Sequence, residues 1–222
     1  MTYAELKTAI QNYVQTSEAT FTSQINDFIR TAEDRVYRSV QMPAFWKTDS
    51  NGTLSAGTTV TLPAGSLEVY DFRICETDES TDGPWRYLLR KDWDFLFEAY
   101  PGDATNPSEG LPKYYAVSSA TKLPALTLAF APAIAASEIT NYQIDYYGKV
   151  AADSIITTVA GTWLSVTFPD ILLHGALTEA YGFMKGEPGL IQYYEQMFSE
   201  GIATMASTVT GEQVNVGTPA GA

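Results

Sequence analysis

The apolar residues change their spacing twice along this chain of 222 residues, and no other feature restricts its fold as much. Over the first 40 residues they recur at helical intervals. Leu6, Ile10, Tyr13 and Val14 form one stripe, and Ile25, Phe28, Ile29, Ala32 and Val36 form a second. From residue 44 to residue 150 the period shortens to two, and Gly, Pro and Thr become frequent. From Asp170 onward the helical spacing returns, with Leu173, Leu177, Ala180, Tyr181 and Met184, then Ile191, Tyr194, Phe198, Ile202 and Met205. Neither set of end helices can bury its stripe alone, so the two sets are expected to pack together. That predicts an α+β protein: a helical bundle formed by N- and C-terminal helices, with an inserted antiparallel β-rich region and an extended C-terminal arm. The expected divisions are 1–43 for the N-terminal helices and 44–150 for the insert. Residues 151–207 supply a connector and a C-terminal helical hairpin, and 208–222 the arm.

Local chemistry places the elements. Thr2 and Glu5 have capping-box spacing. Thr16 to Thr20 breaks the first stripe, a second helix is expected from Thr22, and Pro43 ends it. Arg30–Asp34 and Asp34–Arg38 are i,i+4 pairs worth only tenths of a kcal/mol each. In the insert, Thr53 to Leu62 reads as a hairpin or short meander around Ala56-Gly57. Leu67 to Ile74 reads as a strand, residues 76–84 as an acidic turn and Trp85 to Leu89 as the return strand. Asp92 is placed to cap a short helix carrying Trp93, Phe95, Leu96 and Phe97. Three further strands, 114–117, 125–130 and 142–147, complete an antiparallel set, because their links are too short for helical crossovers. A mixed connector, 150–169, leads to a helix opened by Asp170. Lys185-Gly186-Glu187-Pro188-Gly189 stops that helix before the last one, which suggests an αα-hairpin. Residues 208–222 are small, polar and Gly-rich.

Composition then removes function classes. The chain carries 26 acidic and 13 basic side chains, a formal net charge of −13. That opposes binding to the outside of nucleic acid or to an anionic membrane, both of which require Lys and Arg against phosphate. No apolar run reaches the length of a membrane span, and Met1-Thr2-Tyr3-Ala4-Glu5 lacks the features of a signal peptide. A soluble intracellular product is expected. One cysteine, Cys75, excludes an intrachain disulfide, and with one histidine, His174, no zinc cage can be assembled. There is no nucleophile elbow, Walker motif or dinucleotide fingerprint. Carboxylates cluster at Asp78, Glu79 and Asp82 and at Asp92 and Asp94, in contexts of a solvated turn and a helix start. No catalytic, cofactor-binding or metal-ligating residue is assigned.

What remains is contact surface. Tyrosine occurs 14 times, with adjacent pairs at Tyr114-Tyr115, Tyr146-Tyr147 and Tyr193-Tyr194. Neighbours on a strand face opposite ways, so one member of each strand pair faces away from the core. Tyrosine suits interfaces because its ring buries area while its hydroxyl stays bonded. Candidate contact residues are Arg30, Arg35, Arg38, Tyr114, Tyr193, Val209, Val214 and Val216. Two other readings stay open. One is a carbohydrate- or receptor-binding tail module using Trp85, Trp93 or Trp163; the other is a cell-wall hydrolase using Asp92, Asp94 or His174.

Several segments carry a resemblance. They are Met1-Thr2-Tyr3-Ala4-Glu5-Leu6, Phe28-Ile29-Arg30-Thr31-Ala32-Glu33-Asp34-Arg35-Val36-Tyr37-Arg38 and Leu89-Arg90-Lys91-Asp92. Gly110-Leu111-Pro112-Lys113-Tyr114-Tyr115-Ala116 and Glu179-Ala180-Tyr181-Gly182-Phe183-Met184-Lys185-Gly186-Glu187-Pro188 follow. In this order, over most of the chain, they resemble the head-to-tail adaptor (connector) proteins of short-tailed bacteriophages. The resemblance implies a non-enzymatic structural virion protein without cofactors. Its copies would form a dodecameric ring beneath the portal protein, extend the DNA channel and offer a platform to the tail nozzle protein. It implies a virion neck or tail location after assembly in the host cytoplasm. Packaged DNA would pass non-specifically, no membrane would be contacted, and tail fibres would be a further candidate partner. The C-terminal segment, here 208–222, would reach along neighbouring ring proteins. An acidic lumen would keep the DNA backbone from adhering.

Overall fold

The computed structural model of the chain describes residues 1–54, 57–75, 84–101, 108–118, 126–134 and 140–216; for 51–53, 57–58, 118, 140 and 209–216 it describes the backbone alone. The elements run α1 (Tyr3–Val14), α2 (Ala19–Ser39), β1 (Trp46–Leu54), β2 (Gly57–Thr61), β3 (Ser66–Cys75), β4 (Trp85–Tyr87) and β5 (Leu89–Arg90). Then come α3 (Trp93–Ala99), β6 (Tyr114–Ser118), β7 (Thr127–Ile134), β8 (Thr140–Gly148), α4 (Trp163–Thr167), α5 (Pro169–Phe183) and α6 (Pro188–Val216). They form two compact units: a helical unit of Met1–Ala44 with Ala151–Ala222, and a strand unit of Phe45–Val150. The architecture is α+β.

In the helical unit, α1 starts as its sequence dictates. The Glu5 amide donates to Thr2 Oγ1 at 3.3 Å, and the Thr2 amide donates to Glu5 Oε2 at 2.8 Å. Leu6, Ile10 and Val14 are its buried stripe, and Gln15, with φ 54°, turns the chain out of the helix. Helix α2 begins at Ala19, three residues before the expected Thr22. The reason is Phe21, which is buried in the first turn and packs on Phe28 two turns later, with ring centroids 5.7 Å apart. Helix α5 is the centre of the unit and packs against α1, α2, α4 and α6. Its sequence is apolar on nearly every side, and Ile171, Leu172, Leu173, Ala176, Leu177 and Ala180 are buried. At Gly175 the helices approach so closely that a Cβ would lie 2.7 Å from the Phe198 ring and 2.9 Å from Ala32 Cβ.

The 185–189 segment does separate α5 from α6, but the left-handed residue is Lys185 (φ 53°), not a glycine. The Gly186 amide closes the end by donating to the Tyr181 carbonyl at 2.9 Å. Helix α6 then runs to Val216, so the expected extended arm is helical over 208–216. Extending an existing helix costs far less than starting one, and Glu212 and Gln213 are good helix formers. Residues 217–222 of the arm lie outside the described residues.

The strand unit is a sandwich of two four-stranded sheets, ordered β1-β8-β3-β4 and β2-β7-β6-β5. Between them lies one core, in which Phe72, Ile74, Tyr142, Ile144 and Tyr146 of the first sheet meet Tyr115, Leu128, Phe130 and Ile134 of the second. The expected hairpin at 53–62 does not form. Strand β1 pairs with β8, and β2 pairs with β7. Leu54 and Leu62 are both buried in the common core, so the chain crosses from one sheet to the other between β1 and β2. The return strand at 85–89 divides for the same reason. Leu88 is buried with its amide on the Phe72 carbonyl, β4 pairs with β3, and β5 crosses to β6. The two-residue β5–β6 pairing is parallel; the other strand pairings described are antiparallel, as expected. The acidic turn lies mostly within 76–83, outside the described residues. Asp92 stands at the N-cap of α3, but its side chain makes no capping bond.

Candidate partner-contact surfaces

The groups that could carry chemistry are dispersed. Among the described residues no cluster of three or more His, Cys, Asp or Glu could hold a metal ion. His174 lies in α5 with its ring 6.1 Å from that of Tyr194, and Cys75 is buried in β3. Asp92 and Asp94 sit at the start of α3, whereas Asp78, Glu79 and Asp82 lie outside the described residues.

The three arginines of α2 have separate fates. Arg30 reaches back to Asp27 at 3.3 Å, with both side chains mostly in solvent, and Arg38 is exposed at the last turn. Arg35 is held within the helical unit. Its guanidinium bonds Glu195 of α6, lies 3.6 Å from Glu179 of α5, and covers the Phe198 ring at 4.5 Å from the centroid. One cation therefore joins three helices.

The tyrosine pairs divide by element. On α6, Tyr193 is 54% exposed while Tyr194 is buried, stacked on Tyr181 at 5.4 Å and 11°. Burial pushes the Tyr194 hydroxyl above its ordinary pKa, and the neighbouring Tyr181, Tyr13 and Tyr193 add to the rise. On β6, Tyr115 enters the sandwich core, and Tyr114, on the other face, is half-buried against Phe95 (5.3 Å) and Tyr100 (6.1 Å). On β8, Tyr146 faces the same core. Tyr147 points to the opposite face and is nevertheless only 2% exposed, with Phe45 6.3 Å away. Burial, with a smaller contribution from Tyr70, pushes its hydroxyl up to about 12.

Two surfaces escaped the sequence reading. At the end of the helical unit where α5 turns into α6, Phe183 (50% exposed), Met184, Leu190 and Tyr193 are open to solvent, and so is Tyr13 of α1. Of this group the sequence reading singled out Tyr193 as a contact residue and set Met184 on the apolar stripe of its helix, and it did not join them into one surface. On the outer face of the first sheet, a hydrogen-bonded chain crosses all four strands. Thr48 donates to Asp145 at 2.6 Å, and Asp145 pairs with Arg73 at 3.4 Å. Arg73 donates to Gln143 at 2.9 Å and to the Tyr87 hydroxyl at 3.0 Å, with its guanidinium over the rings of Trp85 and Tyr87. These side chains share a face only because β1, β8, β3 and β4, distant in sequence, become neighbours.

A family model described as SU10 adaptor protein matches residues 1–219. The chain belongs to this family. It is therefore a bacteriophage structural adaptor, as the resemblance read from its sequence implied. No curated protein matches it.

In this SU10 adaptor, Arg30, Arg38 and Tyr193 present their side chains to solvent on the helical unit, and Tyr114 sits half-buried on the strand unit. Val209, Val214 and Val216 fall on the last turns of α6, where the backbone alone is described. Of the tryptophans weighed for sugar binding, Trp93 packs beside Phe97 at 5.4 Å and Trp163 beside Phe168 at 5.6 Å. Trp85 lies half-buried under Arg73. Among the described residues, no helix is long and apolar enough to cross a membrane.

Proposed function

We propose that copies of this adaptor assemble into a ring, a dodecamer in the virion, seated beneath the portal protein at the neck. The ring extends the DNA channel and gives the tail nozzle protein its platform, with tail fibres as a further partner. Packaged DNA passes through without sequence-specific contact. The family match over residues 1–219 carries this reading. It is supported by exposed apolar side chains on both units, which a free monomer has little reason to display together. The net charge of −13 suits a channel that must not retain DNA. Arg30, Arg38, Tyr114 and Tyr193, with Val209, Val214 and Val216, are the proposed contact residues, and Arg35 acts by fixing the helices that present them. Catalysis forms no part of this role.

Electron microscopy of the purified adaptor with and without portal tests the proposal. A ring stacked on portal is expected. Failure of the two proteins to associate overturns it. Deleting 208–222 is expected to leave both units folded and to weaken docking on portal.

A second reading is supported by the outer face of the first sheet. Exposed Tyr87 beside the Arg73–Asp145–Gln143 array is chemistry that also suits a glycan or receptor. Glycan binding that is lost in Tyr87→Ala, with portal binding absent, would favour that reading.

A further inference from the structure

The outer face of the first sheet is laid out by strand alternation and register. On β8, Tyr142, Ile144 and Tyr146 enter the sandwich core, so Gln143, Asp145 and Tyr147 point outward. Trp46 of β1 lies opposite Tyr147, and Thr48 lies opposite Asp145. Arg73 of β3 lies opposite Gln143 on one side and Tyr87 of β4 on the other. The face therefore carries aromatic rings at two levels along β8, with a polar strip between them. At the first level Trp46, 49% exposed, rests against Tyr70 with ring centroids 4.5 Å apart and planes at 32°. At the second, Tyr87 is 58% exposed, and Trp85 shares the Arg73 guanidinium with it. From the level of Tyr147 to that of Gln143 is roughly 14 Å of antiparallel strand.

The polar strip is fixed in place before any ligand arrives. Arg73 is held by Gln143 at 2.9 Å, by the Tyr87 hydroxyl at 3.0 Å and by one Asp145 oxygen at 3.4 Å. Thr48 donates to the other Asp145 oxygen at 2.6 Å. These bonds leave defined valences. The Gln143 amide nitrogen has no partner among the described residues, and each Asp145 oxygen keeps a lone pair. A fixed donor next to a fixed acceptor matches the adjacent hydroxyls of a sugar, and the flanking rings suit its apolar C–H faces. Arg73 and Asp145 cancel in charge, so the strip offers no net attraction to a phosphate or a carboxylate.

We propose that this face binds a neutral oligosaccharide of three pyranose units. The terminal units lie on Trp46 and Tyr87, and the central unit bonds Gln143 and Asp145. The proposal rests on the glycan reading of this face given above. It adds the class of sugar, its length and the side chain beneath each unit, and it holds whether or not the adaptor docks on portal.

Isothermal titration of the full chain tests it. The probes are neutral trisaccharides of glucose, galactose and N-acetylglucosamine with their mono- and disaccharides, and a sialylated trisaccharide and inorganic phosphate as anions. A neutral trisaccharide is expected to bind about tenfold tighter than its disaccharide, and the anions not at all. Trp46→Leu, Tyr87→Ala and Gln143→Ala should each weaken it about tenfold, while Phe97→Ala, an exposed ring on α3, binds as wild type. If no neutral trisaccharide binds, this proposal and the glycan reading both fall. Binding that is lost in Tyr87→Ala, is indifferent to Trp46→Leu and is no tighter for three units than for two overturns the three-unit site and leaves the glycan reading standing. Tighter binding of an anion overturns the assignment of a neutral sugar. If Trp46→Leu does not fold, saturation-transfer NMR on the wild-type protein decides. Transfer to both terminal units is expected, and transfer to one end alone overturns the site.

Discussion

The two units of this adaptor handle polar chemistry in opposite ways. The helical unit draws charge inward: Glu33 is sealed beneath the connector, and Arg35 bridges α2 to α5 and α6 across the Phe198 ring. The strand unit keeps its core to aliphatic and aromatic side chains and sets its charges, Arg73 with Asp145, on the outer face. The difference follows from chain order. The strand unit is one continuous stretch that closes by sheet pairing. The helical unit must join segments separated by the whole insert, and loop closure of that length is an entropic cost that directed contacts help to offset. Glu33 to Ile155 and Arg35 to Glu195 span 122 and 160 positions. Apolar packing alone can bring α2 against α5 and α6, but paired charges also select one register.

This contrast can be broken unit by unit. The largest effect is expected from Phe72→Ala, which empties a fully buried site touching Tyr115, Phe130 and Tyr142. It should cost the strand unit about 3–5 kcal/mol. In denaturant titrations the near-ultraviolet signal of the strand unit should shift while the helical signal at 222 nm holds. Coincident shifts would show one cooperative block rather than two units. Gly175→Val is the converse. Its side chain collides with Phe198 and Ala32, and the helical unit should lose about 1–3 kcal/mol, read at 222 nm.

A pH titration sharpens the comparison. Burial pushes the Tyr147 hydroxyl from its ordinary 10.0 up to about 12 in the folded strand unit. Its neutral form is favoured by folding, so its contribution is whole below pH 10 and is lost as the pH rises through 12. Tyr115 and Tyr142 are raised as well, chiefly by burial. The strand unit should therefore lose stability over this interval, and Tyr147→Phe should flatten the loss in alkaline melts. The smallest effect lies at the chain start. Glu5 is held below its ordinary 4.5 by the Thr2 amide and then by the Thr2 hydroxyl. Its contribution is present above pH 4.5 and lost as the pH falls through the lowered value. Thr2→Ala should cost about 1 kcal/mol and reduce the acid dependence of α1 amide exchange.

The helical unit was the more legible of the two in sequence. Local rules sufficed for the Thr2–Glu5 cap, the Leu6–Ile10–Val14 stripe and the stop before Pro188, because each depends on neighbours within one or two turns. The sandwich was legible as strands but not as pairings. Thr53 to Leu62 has the composition of a hairpin, and only the shared burial of Leu54 and Leu62 sends its two halves to different sheets. Burial of Tyr147 on the outer face of its sheet was hidden for a related reason, since strand alternation predicts direction and not cover. Of the contact candidates, the exposure of Tyr193 follows from helical spacing beside Tyr194. The inward turn of Arg35 required knowing that Glu179 and Glu195 converge on it.

The central claim is that this chain is a structural joint of the virion. Cryo-electron microscopy of purified particles tests it most directly. A closed ring of copies, both units resolved, between head and tail around an open channel is the expected result. Particles whose neck density has no place for the helical and strand units, or that lack the chain altogether, would contradict it.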